Sequence, residues 1–331
     1  MRWRFFMEVQ TKHRDFYFDT LKGFLILCVI IGNSLELADP QNINIHYFIL
    51  FLYVFHMPLF TFVSGYFSKL SKRTTVQKVK GTFKIYFFAQ LAYSIFYRYI
   101  LGNTGHKFEL LYPKWTLWYL LSLTCWYVLS DYVTNNKKWL IGSIVVSLLI
   151  GFDGTIGSLG SVSRTIFFLP FFIAGMTFDK KYIDIIKKHL GKLLTLSIAI
   201  LVILYFLSPY IKIESFFEFS SYSDNEYVNL IFPLCIRAFH YIAAFTVGAL
   251  ILGLIPNIKT IITPIGRSSL ILYLLHSGVS DALIYSGIAR YDNIFYLLIS
   301  EFIIVIITVI LTFAFLKLKK IYYNKKISTQ N

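Results

Sequence analysis

Seven ionisable side chains lie within stretches of the sequence that are otherwise apolar. They are Lys22, His56, Arg164, Arg237, His240, His276 and Glu301. An ionisable group inside a bilayer is costly, so each one invites a functional hypothesis. Imidazole can act as a general base on a hydroxyl, and arginine or lysine can hold a phosphate or stabilise a developing oxyanion. These residue types fit transfer of an acyl group from an anionic donor or passage of an anionic substrate, and they do not choose between the two.

The first apolar run carries polar groups at both ends. Asp19 and Lys22 precede it at a spacing of three, which lets them pair on a helix, and Asn33 and Glu36 follow it. Lys22 and Asn33 are eleven residues apart, which is about three turns and about 16 Å along a helix, so both lie on one face. The simpler interpretation is a basic flank that sets the orientation of a first membrane helix. His56 and His276, taken singly, could likewise be ordinary interior histidines.

Composition indicates an all-α integral membrane protein. The chain has 331 residues, of which 56% are hydrophobic and only 15% charged, with a mean hydropathy of +0.63. Apolar runs recur from end to end without a long polar linker, which predicts a single membrane domain over 1–331. Its basic N-terminus would cover 1–17, and a basic, frayed tail would cover 317–331. The net charge of +15 comes from short blocks between apolar runs, so no nucleic-acid partner is expected and membrane lipids are.

The apolar runs predict ten membrane-spanning helices. Their expected ranges are 18–37, 45–68, 81–101, 115–133, 138–152, 164–178, 190–210, 228–252, 264–286 and 294–316. Lys and Arg accumulate in every second loop, near residues 2–14, 69–80, 137–138, 180–192, 259 and 317–326. This alternation predicts that both termini are cytoplasmic and that the chain is a multi-pass protein of a bacterial cytoplasmic membrane.

Common catalytic motifs of soluble enzymes are missing from the sequence. There is no Gly-x-Ser-x-Gly elbow, no His-Glu-x-x-His spacing for a metal and no phosphate-binding loop. No metal site is therefore expected.

Five segments resemble the membrane acyltransferase-3 family, in particular its fucose 4-O-acetylase-like or capsular polysaccharide O-acetyltransferase subgroup. They are RDFYFDTLKGFLILCVIIG from Arg14, FHMPLFTFVSGYF from Phe55, WTLWYLLSL from Trp115, SRTIFFLPFFIAG from Ser163 and GRSSLILYLLH from Gly266. The resemblance implies ten membrane helices and transfer of an acetyl group from cytoplasmic acetyl-CoA to a hydroxyl of a polysaccharide or lipid-linked glycan. No tightly bound cofactor is expected, since acetyl-CoA is the acyl donor.

The sequence departs from that family at one position. The family's basic residue, followed by ten others and a histidine, falls on Lys22 and Asn33, so the usual Gly-His is Gly32-Asn33. A carboxamide cannot serve as a base, although it can donate and accept hydrogen bonds. Three accounts stay open. The protein is an inactive copy, His56 supplies the base, or Asn33 orients the acceptor while another group takes the proton.

The resemblance and the charges together suggest a role for each candidate residue. The expected catalytic residues are His56, Asn33, Arg164 and Arg237, with either arginine facing the oxyanion. The phosphates of the donor would be drawn by Arg14, Lys22, Lys72 and Arg73. The acceptor would contact Asp19, Glu36 and His276. The alternatives are a transporter or flippase of an anionic lipid-linked sugar, and a non-catalytic scaffold of a capsule assembly complex.

Overall fold

The computed structural model describes residues 15–36, 42–105, 107–134, 136–155, 159–224, 227 and 229–328, and these contain helices and no strand. Thirteen α-helices follow one another along the chain. They are α1 (Phe16–Glu36), α2 (Ile43–Leu70), α3 (Thr75–Ile95), α4 (Trp118–Ser130), α5 (Asn136–Ile150), α6 (Val162–Thr177), α7 (Tyr182–Lys188), α8 (Leu190–Leu207), α9 (Glu214–Phe217), α10 (Ile231–Leu254), α11 (Thr263–Arg267), α12 (Ser269–Tyr285) and α13 (Ile294–Ser328). The expected all-α class is confirmed.

Each of the ten predicted spans contains a helix, but only some of these helices are long and apolar enough to cross a bilayer by themselves. Six segments of the described chain meet that criterion. They are Phe16–Glu36, Ile43–Leu70, Leu159–Thr177, Leu190–Tyr210, Ile231–Leu254 and Ile294–Tyr322. The helix α12 is apolar but shorter, and α4 and α5 have 13 and 15 residues. The chain is consistent with a membrane protein, and the count of ten spans stays a prediction.

Helices α1 and α2 form the centre of the bundle. About 72% of the apolar window of each is buried inside the protein, against 11% for α8 and 28% for α13. The first helix contacts α2, α11, α12 and α13, and the second contacts α6 and α10. The least buried helices are the ones whose apolar surfaces suit lipid. Polar side chains on α1 and α2 therefore face other helices.

Glycines set the two closest helix crossings. A Cβ on Gly65 would lie 2.0 Å from the carbonyl oxygen of Phe172, and one on Gly175 would lie 1.9 Å from that of Phe62. The crossing of α1 with α11 has the same character, since a Cβ on Gly266 would lie 1.8 Å from the backbone oxygen of Asp19. Small residues let helix backbones approach in a membrane. These glycines, which lie in the segments that resemble the family, thus let α2 pack closely on α6 and α1 on α11.

Ion pairs connect helix ends on the face that carries the basic blocks. Lys180 pairs with Asp15 at 2.6 Å, and Arg267 pairs with Asp19 at 3.1 Å. These contacts bring α1, α7 and α11 together at one end of the bundle. The opposite ends of the helices meet the segment 211–224, described below. Which of the two faces is cytoplasmic stays a prediction.

The C-terminal segment differs from expectation. We expected a frayed tail from residue 317, but α13 continues to Ser328. Leucine and lysine are good helix formers, and residues 317–322 (KLKKIY) consist mainly of such residues. Residues 317–328 of the expected tail are therefore helical, and the tail over 317–331 as a separate segment stays a prediction.

Candidate active site

Asn33, the residue at the family's histidine position, is held by two hydrogen bonds in the last turns of α1. Its Nδ2 lies 3.0 Å from Nε2 of His276 on α12, and its Oδ1 accepts from the hydroxyl of Tyr53 at 3.0 Å. Nδ1 of His276 lies 2.8 Å from the carbonyl of Tyr273. A carbonyl only accepts, so Nδ1 of His276 carries the hydrogen and its Nε2 accepts from Asn33. The carboxamide thus links two helices to α1, and it occupies the lone pair of His276.

His56 on α2 keeps one ring nitrogen without a hydrogen bond to the described residues. Its Nδ1 donates to the carbonyl oxygen of Leu52 at 2.6 Å, which leaves the lone pair on Nε2 in a neutral ring. Nε2 makes no hydrogen bond to any described residue. The ring packs against the end of α1, with Cε1 3.8 Å from the place where Gly32 would carry a Cβ. His56 therefore presents a proton acceptor beside the Gly32-Asn33 pair.

Arg164 at the start of α6 lies in an aromatic cage. Its guanidinium carbon is 5.1 Å from the ring centres of Trp115 and Trp118 and 4.9 Å from that of Phe219. Its Nε donates to the carbonyl of Phe217 at 2.8 Å. The two terminal NH₂ groups make no hydrogen bond to the described residues. Cation–π contacts stabilise a buried guanidinium, and the terminal N–H groups remain available to an anionic oxygen.

These three residues share one cavity. Asn33, His56 and Arg164 all line a small cavity of about 30 Å³ between α1, α2, α6 and α12, together with Trp115, Phe217 and Tyr273. A base candidate and a cation thus meet in a largely aromatic enclosure. Water is scarce in such an enclosure, which strengthens electrostatic interactions.

A second cavity adjoins the first. Its volume is about 200 Å³, it is lined largely by apolar side chains of α1, α2, α4 and α12, and its lining includes Lys22. Val29, Met57 and Tyr273 line both cavities. Val29 lies one turn, about 6 Å, before Asn33 on α1. The two cavities therefore lie side by side, with these three shared residues between them, one on the side of Lys22 and the other on the side of Asn33 and His56.

Arg237 and His240 of α10 lie outside the set of residues that line the two cavities. Arg237 pairs with Glu218 at 2.7 Å, and its Nη1 donates to the carbonyl of Ser147 at 3.0 Å. His240 contacts the other oxygen of Glu218 at 3.0 Å and the carbonyl of Tyr53 at 3.3 Å. We considered both arginines as partners of the oxyanion, but only Arg164 lines the same cavity as His56.

The three predicted acceptor-binding residues are far apart. Asp19 pairs with Lys22 at 2.9 Å and with Arg267, at the end of α1 opposite to Glu36. Seventeen residues of helix separate Asp19 from Glu36, which is about 25 Å. The carboxylate of Glu36 lies near Trp115 and is close enough to Arg164 to interact with it electrostatically. Glu36 thus lies near the cavity, His276 lies behind Asn33, and Asp19 lies at the opposite end of α1.

The predicted donor-binding residues are only partly brought together. Lys22 lines the second cavity, and Arg73 is close enough to Tyr127 of the same cavity to act on it electrostatically. Lys72 is exposed at the end of α2. Lys78, which we did not single out, lies over the Tyr127 ring at 5.6 Å. Arg14 falls outside the described residues.

Sequence reasoning missed Tyr53, Phe217 and Glu218. Tyr53 precedes His56 by three residues, so the sequence predicts that both lie on one helix. An aromatic residue in an apolar run does not by itself indicate a role in a site. Glu218 was one of several acids in a loop. Glu301, in contrast, was singled out, and the structure pairs it with Ser34 at 2.5 Å and Tyr291 at 3.3 Å, away from both cavities.

Comparisons with known proteins give the family of the chain. A family model described as an acyltransferase domain, Acyl_transf_3, matches residues 15–317. Two curated relatives match short segments, and both bear the name nodulation protein NolL. The protein of Sinorhizobium fredii is 40% identical over 57 residues, and that of Mesorhizobium japonicum is 43% identical over 61 residues. Each match spans 16% of the relative and 16% or 18% of this chain. No solved structure matches the chain.

Proposed function

The chain belongs to the acyltransferase-3 family, and from that premise we propose that it is a membrane O-acetyltransferase. It would move an acetyl group from cytoplasmic acetyl-CoA to a hydroxyl of a cell-surface or capsular polysaccharide. The protein would work in a bacterial cytoplasmic membrane, in the subgroup that resembles fucose 4-O-acetylases. The acyltransferase class follows from the family, whereas the donor, the acceptor and the location are parts of the proposal.

The single observation that supports this function best is the cavity that Asn33, His56 and Arg164 share. Acyl transfer from a thioester needs a group that takes the hydroxyl proton and a group that stabilises the oxygen anion of the tetrahedral intermediate. Nε2 of His56 can do the first, and the terminal N–H groups of Arg164 can do the second. Both ends of the Asn33 carboxamide are engaged by His276 and Tyr53, which supports a role for Asn33 in holding α1 against α2 and α12.

The adjoining cavity that Lys22 lines suggests how the donor would enter. The phosphates of acetyl-CoA would stay near Lys22, Lys72 and Arg73, with Arg14 as a further candidate. Its acyl arm would extend through the apolar cavity and past Met57, which lines both cavities. The distance of about 16 Å from Lys22 to Asn33 along α1 suits an extended arm. The glycan hydroxyl would then approach from the side of Arg164 and Glu36.

The chemical step balances within these groups. The hydroxyl oxygen bonds to the thioester carbonyl carbon while its proton passes to Nε2 of His56. The negative charge develops on the carbonyl oxygen beside Arg164. When the C–S bond breaks, the proton returns from His56 to the thiolate, and an ester and a free thiol leave. His56 is neutral before and after the cycle.

Donor-dependent stabilisation tests the proposal against its alternatives. The detergent-solubilised protein should melt at a higher temperature with acetyl-CoA, because a ligand that binds the folded state stabilises it. Deletion of the gene should remove acetyl groups from the surface glycan, which NMR of the isolated glycan would detect. A flippase or a scaffold would not require acetyl-CoA, so the absence of any shift, with unaltered glycan acetylation, would favour one of those functions.

A further inference from the structure

The segment 211–224, which we call the outer segment, closes the candidate reaction cavity at the end away from Lys22. It includes α9, and its residues Phe216 and Phe217 line the cavity beside Asn33 and His56. The ring of Phe217 packs edge-on against Trp115 at 5.1 Å and lies 5.3 Å from that of Tyr53. The wall of the cavity is thus made partly from a loop rather than from a membrane helix.

Glu218 holds this wall in place. Its side chain is fully buried, and its two oxygens face Arg237 at 2.7 Å and His240 at 3.0 Å. The backbone of Glu218 is left-handed, with φ of 59°, a conformation that non-glycine residues rarely adopt. Phe216 stacks on the His240 ring at 4.4 Å. A carboxylate can be buried at acceptable cost when a positive charge lies beside it. The contacts of Glu218 with Arg237 and His240 therefore hold the outer segment against α10.

Tyr222 provides a second anchor for the same segment. Its hydroxyl donates to the carbonyl of Leu148 at 2.9 Å, and its backbone N–H donates to that of Gly151 at 2.7 Å. Burial raises the pKa of Tyr222 to about 12, so the phenol keeps its proton and can donate at neutral pH. A Cβ on Gly151 would lie 2.3 Å from the Tyr222 ring, so this packing requires the glycine.

The outer segment is also connected to the candidate catalytic residues. The carbonyl of Phe217 accepts from Nε of Arg164, which fixes the guanidinium in its aromatic cage. His240, bound to Glu218, contacts the carbonyl of Tyr53, whose hydroxyl binds Asn33. Movement of Glu218 would therefore loosen the wall, Arg164 and Tyr53 at once.

We infer that Glu218 is a positioning residue that keeps water out of the reaction cavity, and so favours acyl transfer over hydrolysis of the donor. The inference rests on the proposed acyl-transfer function. In hydrolysis, a water oxygen bonds to the thioester carbonyl carbon, the C–S bond breaks, and a carboxylic acid and a thiol are released. Enclosure of an active site suppresses such side reactions. His56 would act as the base in hydrolysis as well, because the water molecule would take the place of the acceptor hydroxyl.

The test is thiol release from acetyl-CoA by the purified full-length protein without any glycan. Glu218→Gln keeps the shape of the side chain but removes the charge that faces Arg237, so hydrolysis should rise about tenfold or more. Glu214→Gln is the matched control, because Glu214 lies in the same segment but is exposed. It should leave hydrolysis unchanged. The thermal shift caused by acetyl-CoA should be the same in all three proteins.

Each outcome has a defined meaning. Unchanged hydrolysis in Glu218→Gln, with the donor-dependent shift preserved, would overturn the inference and leave the proposed function standing. A wild type that shows neither a shift nor thiol release would instead count against the proposed function. Should Glu218→Gln fail to fold, Phe217→Ala decides, since it removes a wall ring and buries no unpaired charge. This variant should show the same gain in hydrolysis, and an unaltered rate would overturn the inference.

Discussion

The carboxamide of Asn33 donates a hydrogen bond to Nε2 of His276 across 3.0 Å, although the two residues are 243 positions apart. The contact occupies the lone pair that His276 would need as a base. It also explains how a carboxamide can stand at the family's histidine position without leaving buried polar atoms unpaired. The structure thus separates two roles: Asn33 connects α1, α2 and α12, and His56 retains the open nitrogen.

Arg164→Lys should reduce acetyl transfer strongly. A lysine can carry the charge, but it lacks the planar guanidinium that binds Phe217 and stacks among Trp115, Trp118 and Phe219. Loss of one oxyanion donor lowers turnover about 10²- to 10³-fold in other enzymes, and a similar fall in kcat is expected here. Steady-state assays with acetyl-CoA would measure it.

Arg290→Lys serves as the control for that substitution. Arg290 also lies over an aromatic ring, that of Tyr296 at 4.5 Å, and it pairs with Asp292 at 2.5 Å, but it is exposed. Its replacement should leave kcat unchanged. Equal losses in the two variants would indicate that the first effect is not specific to the cavity.

Lys22→Met should weaken acetyl-CoA binding about 10- to 100-fold, which corresponds to the loss of one hydrogen bond to a charged group. Lys22 lines the second cavity, and its removal leaves Asp19 paired with Arg267. Isothermal titration with acetyl-CoA would give the dissociation constant. The difference from wild type should shrink at high salt, since phosphate and ammonium are partly exposed. An unchanged affinity would exclude Lys22 from the donor site, and exposed Lys192 provides a lysine whose replacement should have no effect.

Gly65→Ala should lower the stability of the folded protein by about 1–3 kcal/mol, the usual cost of overpacking. The new Cβ would lie 2.0 Å from a backbone oxygen of α6, which cannot move as a flexible side chain can. Gly81→Ala is the matched control, because nothing lies within 4 Å of the added Cβ and alanine favours a helix by roughly 0.5–1 kcal/mol. Thermal unfolding in detergent should therefore shift down for the first variant and not for the second.

The helices could be predicted from the sequence because apolar runs and basic blocks report burial in lipid directly. Every predicted span contains a helix, and the short helices α7 and α9 lie in the predicted connections, whereas α11 and α12 share the predicted span 264–286. We predicted ten spans, but only six segments of the described chain are long and apolar enough to cross a bilayer by themselves. The helices in the other predicted spans are too short or too polar to meet that criterion. For example, α3 carries Lys78, Lys80 and Lys84. A hydropathy pattern does not report how neighbouring helices shield such a segment.

The site could be predicted only in part, because a span does not reveal which neighbour each face meets. Arg164 and Arg237 looked alike in the sequence, yet the first lines the cavity and the second pairs with Glu218. That partner comes from a loop that folds back between helices, and no local pattern signals such a return. His56 and Asn33 could be predicted because a histidine can take a proton and Asn33 stands at the family's histidine position. Tyr53 also contributes to the site, since its hydroxyl binds Asn33, but a tyrosine in an apolar run does not indicate such a role.

The most direct test of the account is acetyl transfer from radiolabelled acetyl-CoA to washed membranes of a deletion strain, by the purified wild type, His56→Gln and Asn33→His. The account predicts that the wild type is active, that His56→Gln loses about 10²- to 10⁴-fold in rate, and that Asn33→His changes the rate by less than about tenfold. A wild type without activity that becomes active on Asn33→His, or a His56→Gln variant with full turnover, would contradict it.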